Sequence, residues 1–258
     1  MDAKLITRTL SQISIASLII WVVLFGAIGW ADSLRIDDQR FARAKAALLK
    51  AIESDVSATS NYIGTDKLNP AVMRAMGSVR RHRFVPEKYV NQAYNNHPLP
   101  IGHGQTISQP YIVALMSNLL ALNPGDRVLE VGTGSGYQAA ILAEMGMNVY
   151  SIEIIRPLAE TARQRLKDEG YGNVHVTIGD GYFGWKQHAP FDAIIVTAAT
   201  DHIPPPLLEQ LRKGGKMVIP VGGQLSVQQL VLVTKRADDT LRTRQILPVR
   251  FVPLTRRP

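Results

Sequence analysis

The chain has 258 residues, 46% of them hydrophobic, and a net charge of +8. That length suits one large domain with extensions. With no cysteine, disulfides, thiolate metal sites and cysteine nucleophiles are excluded, without a choice of redox compartment. The histidines at 82, 97, 103, 175, 188 and 202 lack metal-ligand spacing, so no metal site is expected.

Lys4 and Arg8 precede an uncharged run over residues 13–31. The run is long enough to cross a bilayer as a helix. With small Gly29 and Ala31 near its end, it also fits a signal sequence. Residues 1–31 therefore read as a signal sequence or membrane anchor, with an uncleaved anchor preferred. The basic residues stay inside, and the rest of the chain is exported, to the periplasmic side in a bacterium. A buried helix in a cytoplasmic protein is the alternative.

Residues 32–66 read as an amphipathic helix and a linker. Phe41, Ala44, Leu48, Ile52 and Val56 recur at helical spacing, Asp37 or Asp38 caps the start, and residues 57–66 are polar. A further helix begins with Asn69 as cap and Pro70 in its first position. Residues 98–111, Pro-Leu-Pro-Ile-Gly-His-Gly-Gln-Thr-Ile-Ser-Gln-Pro-Tyr, read as a structured loop. Ser108 and Gln109 then introduce a helix through Val113, Met116 and Leu120. The free N–H groups of a helix start suit a carboxylate, and an N-cap serine without chemistry is the plain alternative.

Val128, Leu129 and Val131 form a buried strand that ends in Gly132-Thr133-Gly134-Ser135-Gly136 and opens a helix over 138–145. Glycine permits positive φ and close approach of a ligand. The spacing is G-x-G-x-G, so the third glycine of a dinucleotide fingerprint is out of place. An adenosine ligand without a phosphate fits better, and S-adenosylmethionine is the commonest. A second strand, 148–153, ends in Glu153, placed where an acid accepts from ribose hydroxyls. A third, 174–178, leads to Gly179-Asp180-Gly181, where Asp180 could face the adenine. Strands follow at 191–197 and, introduced by Gly214-Gly215, at 216–221. Strands alternating with helices give a doubly wound, mostly parallel α/β sheet. Residues 235–258 are rich in Lys and Arg. A solvated surface is the default reading, and no nucleic acid is expected.

Several segments together closely resemble the protein-L-isoaspartate O-methyltransferase family. They are Arg81-His82-Arg83-Phe84-Val85-Pro86, residues 99–111, 130–137 and 191–199, and Arg250-Phe251-Val252-Pro253-Leu254. The resemblance covers roughly residues 68–254, and the stretch 104–110 is its most specific part. It implies a seven-stranded class I S-adenosylmethionine-dependent methyltransferase domain over 67–258, with an added hydrophobic N-terminal helix and extra helices. It implies methylation of the free α-carboxylate of L-isoaspartyl residues in damaged proteins, the first step of their repair, by a monomer.

By the same resemblance Ser108 is the active-site serine. Gln105, Thr106 and Ile107 close over the cofactor. Glu130, Gly132, Thr133, Gly134, Glu153, Asp180 and Gly181 are cofactor contacts, and Val252, Pro253 and Leu254 lie near the substrate with Ser108. The chain departs from the family in carrying Asn95-Asn96-His97 where an aspartate is frequent, and in its N-terminal extension. The alternatives are a methyltransferase for a small molecule or RNA, and a membrane-tethered, non-catalytic S-adenosylmethionine-binding protein. An exported domain would also need a supply of a cofactor made in the cytosol.

Overall fold

The computed structural model describes residues 39–223 and 227–256. The expected anchor or signal at 1–31, and the cap at Asp37 or Asp38, lie outside them. Among the described residues no helix is long and apolar enough to cross a membrane. The chain divides into two units, Met1–Arg43 and Ala44–Pro258. Every strand among the described residues belongs to the second unit.

Helix α1, described from residue 39, runs to residue 58. Leu48, Ile52 and Val56 recur every fourth residue on one face and are all buried. The polar stretch read as a linker holds a short helix, α2 (Ser60–Ile63), which ends at Gly64 in the left-handed conformation. Helix α3 (Pro70–Ser78) starts as its residues dictate. Pro70 fills the first turn and the Asn69 side chain accepts from the Ala71 N–H.

Residues 98–108 are not a loop. They form a hairpin of β1 (Leu99–Gly102) and β2 (Gln105–Ile107). Its turn is made by Gly102, His103 and Gly104, all at positive φ. Helix α4 (Pro110–Leu119) follows, with Gln109 rather than Ser108 at its N-cap. Pro110 fixes the helix start, which leaves Ser108 between hairpin and helix and in neither.

The main sheet has seven strands. These are β3 (Arg127–Val131), β4 (Asn148–Glu153), β5 (Val174–Ile178), β6 (Phe191–Val196), β7 (Leu211–Val221), β8 (Gln228–Lys235) and β9 (Leu241–Val249). Their order is β5-β4-β3-β6-β7-β8-β9. Neighbours from β5 to β7 pair in parallel, while β8 and β9 are added antiparallel. Strand β7 begins earlier than expected. Gly214 and Gly215 lie within it, where the pairing with β6 shifts register between Phe191 and Ala193. A Cβ on Gly215 would sit 2.8 Å from the Asp192 carbonyl oxygen, so only glycine fits there.

Helices α5 (Tyr137–Glu144), α6 (Arg156–Asp168) and α7 (Pro205–Gln210) complete the βα units. The sheet is buried through Leu129, Val131, Ile152, Ile194, Val196 and Met217, among others. Near-continuous apolar runs such as Ala193-Ile194-Ile195-Val196 fit strands covered on both faces. The chain runs β3-β4-β5 outward on one side, then returns to place β6 on the other side of β3. The carboxyl ends of β3, β4 and β6 therefore flank a topological switch point, where such sheets bind ligands.

Candidate active site

The turn after β3 is built for close approach. Gly132, Gly134 and Gly136 all have positive φ. A Cβ on Gly132 would lie 2.5 Å from Thr197 Oγ1. The Thr197 hydroxyl caps the end of β3 through the carbonyls of Val131 (3.0 Å) and Gly132 (2.7 Å). Glu153, at the end of β4, binds the same turn. Its Oε2 accepts from the Gly134 N–H at 2.8 Å and its Oε1 from the Ile155 N–H at 2.9 Å. Each carboxylate oxygen retains a lone pair, and Glu153 lines the cavity above the turn.

That cavity gathers most of the expected residues. Gln105, Thr106, Ile107 and Ser108 form one wall, Gly132, Thr133 and Gly134 the floor, and Glu153 and Gly181 the far side. Val252, Pro253 and Leu254 close it. They are held there by backbone bonds from the Ala199 N–H to the Val252 carbonyl and from the Leu254 N–H to the Ala199 carbonyl. The sequence reading missed Ser135, Tyr137, Gln138, Ile155, Thr197 and Ala198 in the lining. Thr197 and Ala198 follow a parallel strand at the switch point, which was the available signal.

Two expected contacts do not line this cavity. Asp180 lines a neighbouring one. Its carboxylate is engaged by the Tyr182 N–H at 3.0 Å and by Arg256 Nε at 2.9 Å, and Arg256 lies over the Tyr182 ring. Glu130 is fully buried within β3 and accepts from the Ser151 hydroxyl. It is not among the residues that line the cavity. Burial pushes the Glu130 carboxyl up to about 8, so at neutral pH it is mostly uncharged. Folding then retains a proton that the unfolded chain releases. The stability this contributes is present below the ordinary carboxyl range and is lost as pH rises through about 8. Glu130→Gln, neutral at every pH, should gain thermal stability relative to the unmodified protein between pH 5 and pH 8. Melting curves at both pH values check this, and a constant difference would contradict it.

A second hollow of about 590 Å³ adjoins the first. It is lined by Pro98, Gln109, Ile112, Val227, Arg250 and Phe251, and shares Thr106, Ser108, Thr197 and Val252 with its neighbour. Ser108 thus stands where the two meet. Asn96 lies in the segment that departs from the family in having no aspartate. Its Oδ1 accepts from the Tyr111 N–H of α4 at 3.0 Å, and its Nδ2 donates to Asp55 of α1 at 2.8 Å. Helix α1 therefore brings a carboxylate beside this segment. Among the described residues no cluster of acids and histidines could hold a metal.

The sheet order and the glycine turn anchored by a strand-end glutamate define a class I S-adenosylmethionine-dependent methyltransferase. The protein-L-isoaspartate(D-aspartate) O-methyltransferase family matches residues 60–258. The chain belongs to that family. It is 60% identical over 230 residues to protein-L-isoaspartate O-methyltransferase 2 of Syntrophobacter fumaroxidans, covering 89% of this chain and 91% of that one. It is 55% identical to protein-L-isoaspartate O-methyltransferase 1 of Cupriavidus necator, with 90% of each chain covered.

Among solved structures, one protein-L-isoaspartate O-methyltransferase superposes with a TM-score of 0.71 at 29% identity, over 81% of this chain and 65% of that one. Another, from Plasmodium falciparum and in complex with S-adenosyl-L-homocysteine, gives 0.66 at 25% identity, over 80% and 97%.

Proposed function

We infer that the chain transfers the methyl group of S-adenosylmethionine to the free α-carboxylate of L-isoaspartyl residues in damaged proteins. The observation that carries this is the position of Ser108, in the family's most specific segment and at the junction of two hollows. The hollow over Gly132 and Glu153 takes the adenosyl ligand. The absence of a Cβ at Gly132 lets the Thr197 hydroxyl pack against the turn that floors the hollow, and the spare lone pairs of Glu153 match ribose hydroxyls. The hollow lined by Pro98, Ile112 and Phe251 takes the damaged peptide.

Bound there, S-adenosylmethionine supplies an electrophilic methyl group on a sulfonium. The chain's own task is to position the acceptor. An α-carboxylate has a pKa of roughly 3–4 and is already ionised at neutral pH, so no base is needed. The Ser108 hydroxyl orients it by hydrogen bonding, and the hairpin β1–β2 excludes water. Gln105, Thr106 and Ile107 cover the cofactor, and Val252, Pro253 and Leu254 border both ligands. Calorimetric titration of the full chain should show binding of S-adenosylhomocysteine and little of NAD. Tight NAD binding without the other would overturn the cofactor reading.

Residues 1–31 serve as a membrane anchor or export signal on this reading, supported by Lys4, Arg8 and the uncharged run 13–31. The full-length chain should fractionate with membranes, or be shortened near Ala31 outside the cytosol. Recovery of the intact chain only from the soluble cytosolic fraction would rule this out.

A further inference from the structure

The Arg81–Phe84 turn carries three basic side chains in succession before its closing phenylalanine, and the arginines are used differently. Arg80 and Arg83 both pair with Glu169, at 2.9 and 3.0 Å. Arg81 points the other way and is fully buried. Its Nε donates to the Ala93 carbonyl at 2.8 Å, and its Nη2 donates to the Ser108 carbonyl at 2.8 Å. Its Cζ lies 4.7 Å from the centre of the Tyr137 ring, which lines the cofactor cavity. Its Nη1 has no hydrogen-bond partner. Among the described residues no carboxylate pairs with it.

Burial lowers the pKa of Arg81 to about 10, so it stays a cation at neutral pH. A buried charge without a counter-ion is costly, and an apolar side chain of similar volume would pack there at less cost. The guanidinium fork holds two carbonyls in a rigid planar geometry, which the rotatable donors of an ammonium do not impose. One of those carbonyls belongs to the residue that meets the acceptor.

We propose that Arg81 is a positioning residue for the acceptor: its fork fixes the Ser108 backbone, and its unpaired charge favours an anionic carboxylate beside Ser108. This rests on the placing of the acceptor at Ser108. The charge then discriminates between the ionised substrate and its neutral methyl ester, and so helps the ester leave.

The test compares two peptides that differ only at the isoaspartyl α-position, one a carboxylate and the other a carboxamide. Binding to the full chain is measured with S-adenosylhomocysteine present. The unmodified protein should prefer the carboxylate. Arg81→Met should lose about 10-fold more in carboxylate affinity than in carboxamide affinity, with S-adenosylhomocysteine affinity unchanged, an effect that mere loss of packing would not produce. Arg81→Lys should retain the preference for the carboxylate but turn over more slowly, because its rotatable ammonium does not fix the Ser108 carbonyl in the planar geometry of the fork. Equal losses for both peptides, or an intact preference in Arg81→Met, would overturn the inference. So would wild-type turnover in Arg81→Lys, even if Arg81→Met fails to fold. Absence of any preference in the unmodified protein would overturn the placing of the acceptor itself.

Discussion

Ser108→Ala is expected to slow methyl transfer to an isoaspartyl peptide about 10²-fold while leaving S-adenosylhomocysteine affinity nearly unchanged, the scale on which loss of an orienting contact acts. The backbone of Ser108 is held by Arg81 through its carbonyl, so truncating the side chain leaves the chain path intact. Its hydroxyl has no hydrogen-bond partner among the described residues and borders both hollows. The substitution therefore removes one donor from the acceptor and nothing from the fold. Steady-state turnover and calorimetry on the same preparation separate the two quantities. Unaltered turnover would remove the role given to this serine, and a parallel loss of cofactor affinity would move it to the other ligand.

Glu153→Ala should weaken S-adenosylhomocysteine binding by about 1–3 kcal/mol, the cost of leaving buried hydrogen-bonding groups without partners. The carboxylate does two things at once. It ties the Gly134 and Ile155 N–H groups together across the ends of β3 and β4, and it presents lone pairs to the cavity. Alanine orphans both N–H groups and frees the glycine turn. Glu153→Gln keeps one acceptor oxygen and should lose less. Titration of both variants checks the order, and wild-type affinity in Glu153→Ala would contradict the placing of the ribose beside it.

The parts legible in the sequence are those governed by local chemistry. Gly132, Gly134 and Gly136 announce a turn because only glycine takes positive φ freely there. Asn69-Pro70 announces a helix start because cap and fixed φ act within one turn. The parallel strands are legible because β3 and β6 are near-continuous apolar runs and β5 alternates. What escaped depends on contacts between distant residues. The hairpin 99–107 reads as loop because prolines and glycines crowd strands only a few residues long, which are paired solely with each other. Arg81 enters the sequence reading only as part of the family-like segment 81–86, since nothing local says that Arg80 and Arg83 turn to Glu169 while it turns in. Glu130 is a ligand contact by the family resemblance alone. Only the closed sheet shows it buried against Ser151. Asp55 reaching Asn96 from α1 has no sequence signature at all.

The most direct test of the central claim is methyl transfer by the full chain from a labelled donor to two peptides that differ in one linkage, L-isoaspartyl against normal aspartyl. The two present different carboxyl groups beside the backbone, so a site that positions its acceptor must tell them apart. Label incorporated into the isoaspartyl peptide, as a base-labile ester, with none above background in its aspartyl twin is the result expected. Equal labelling of both peptides, or label in neither while S-adenosylhomocysteine still binds, would contradict it.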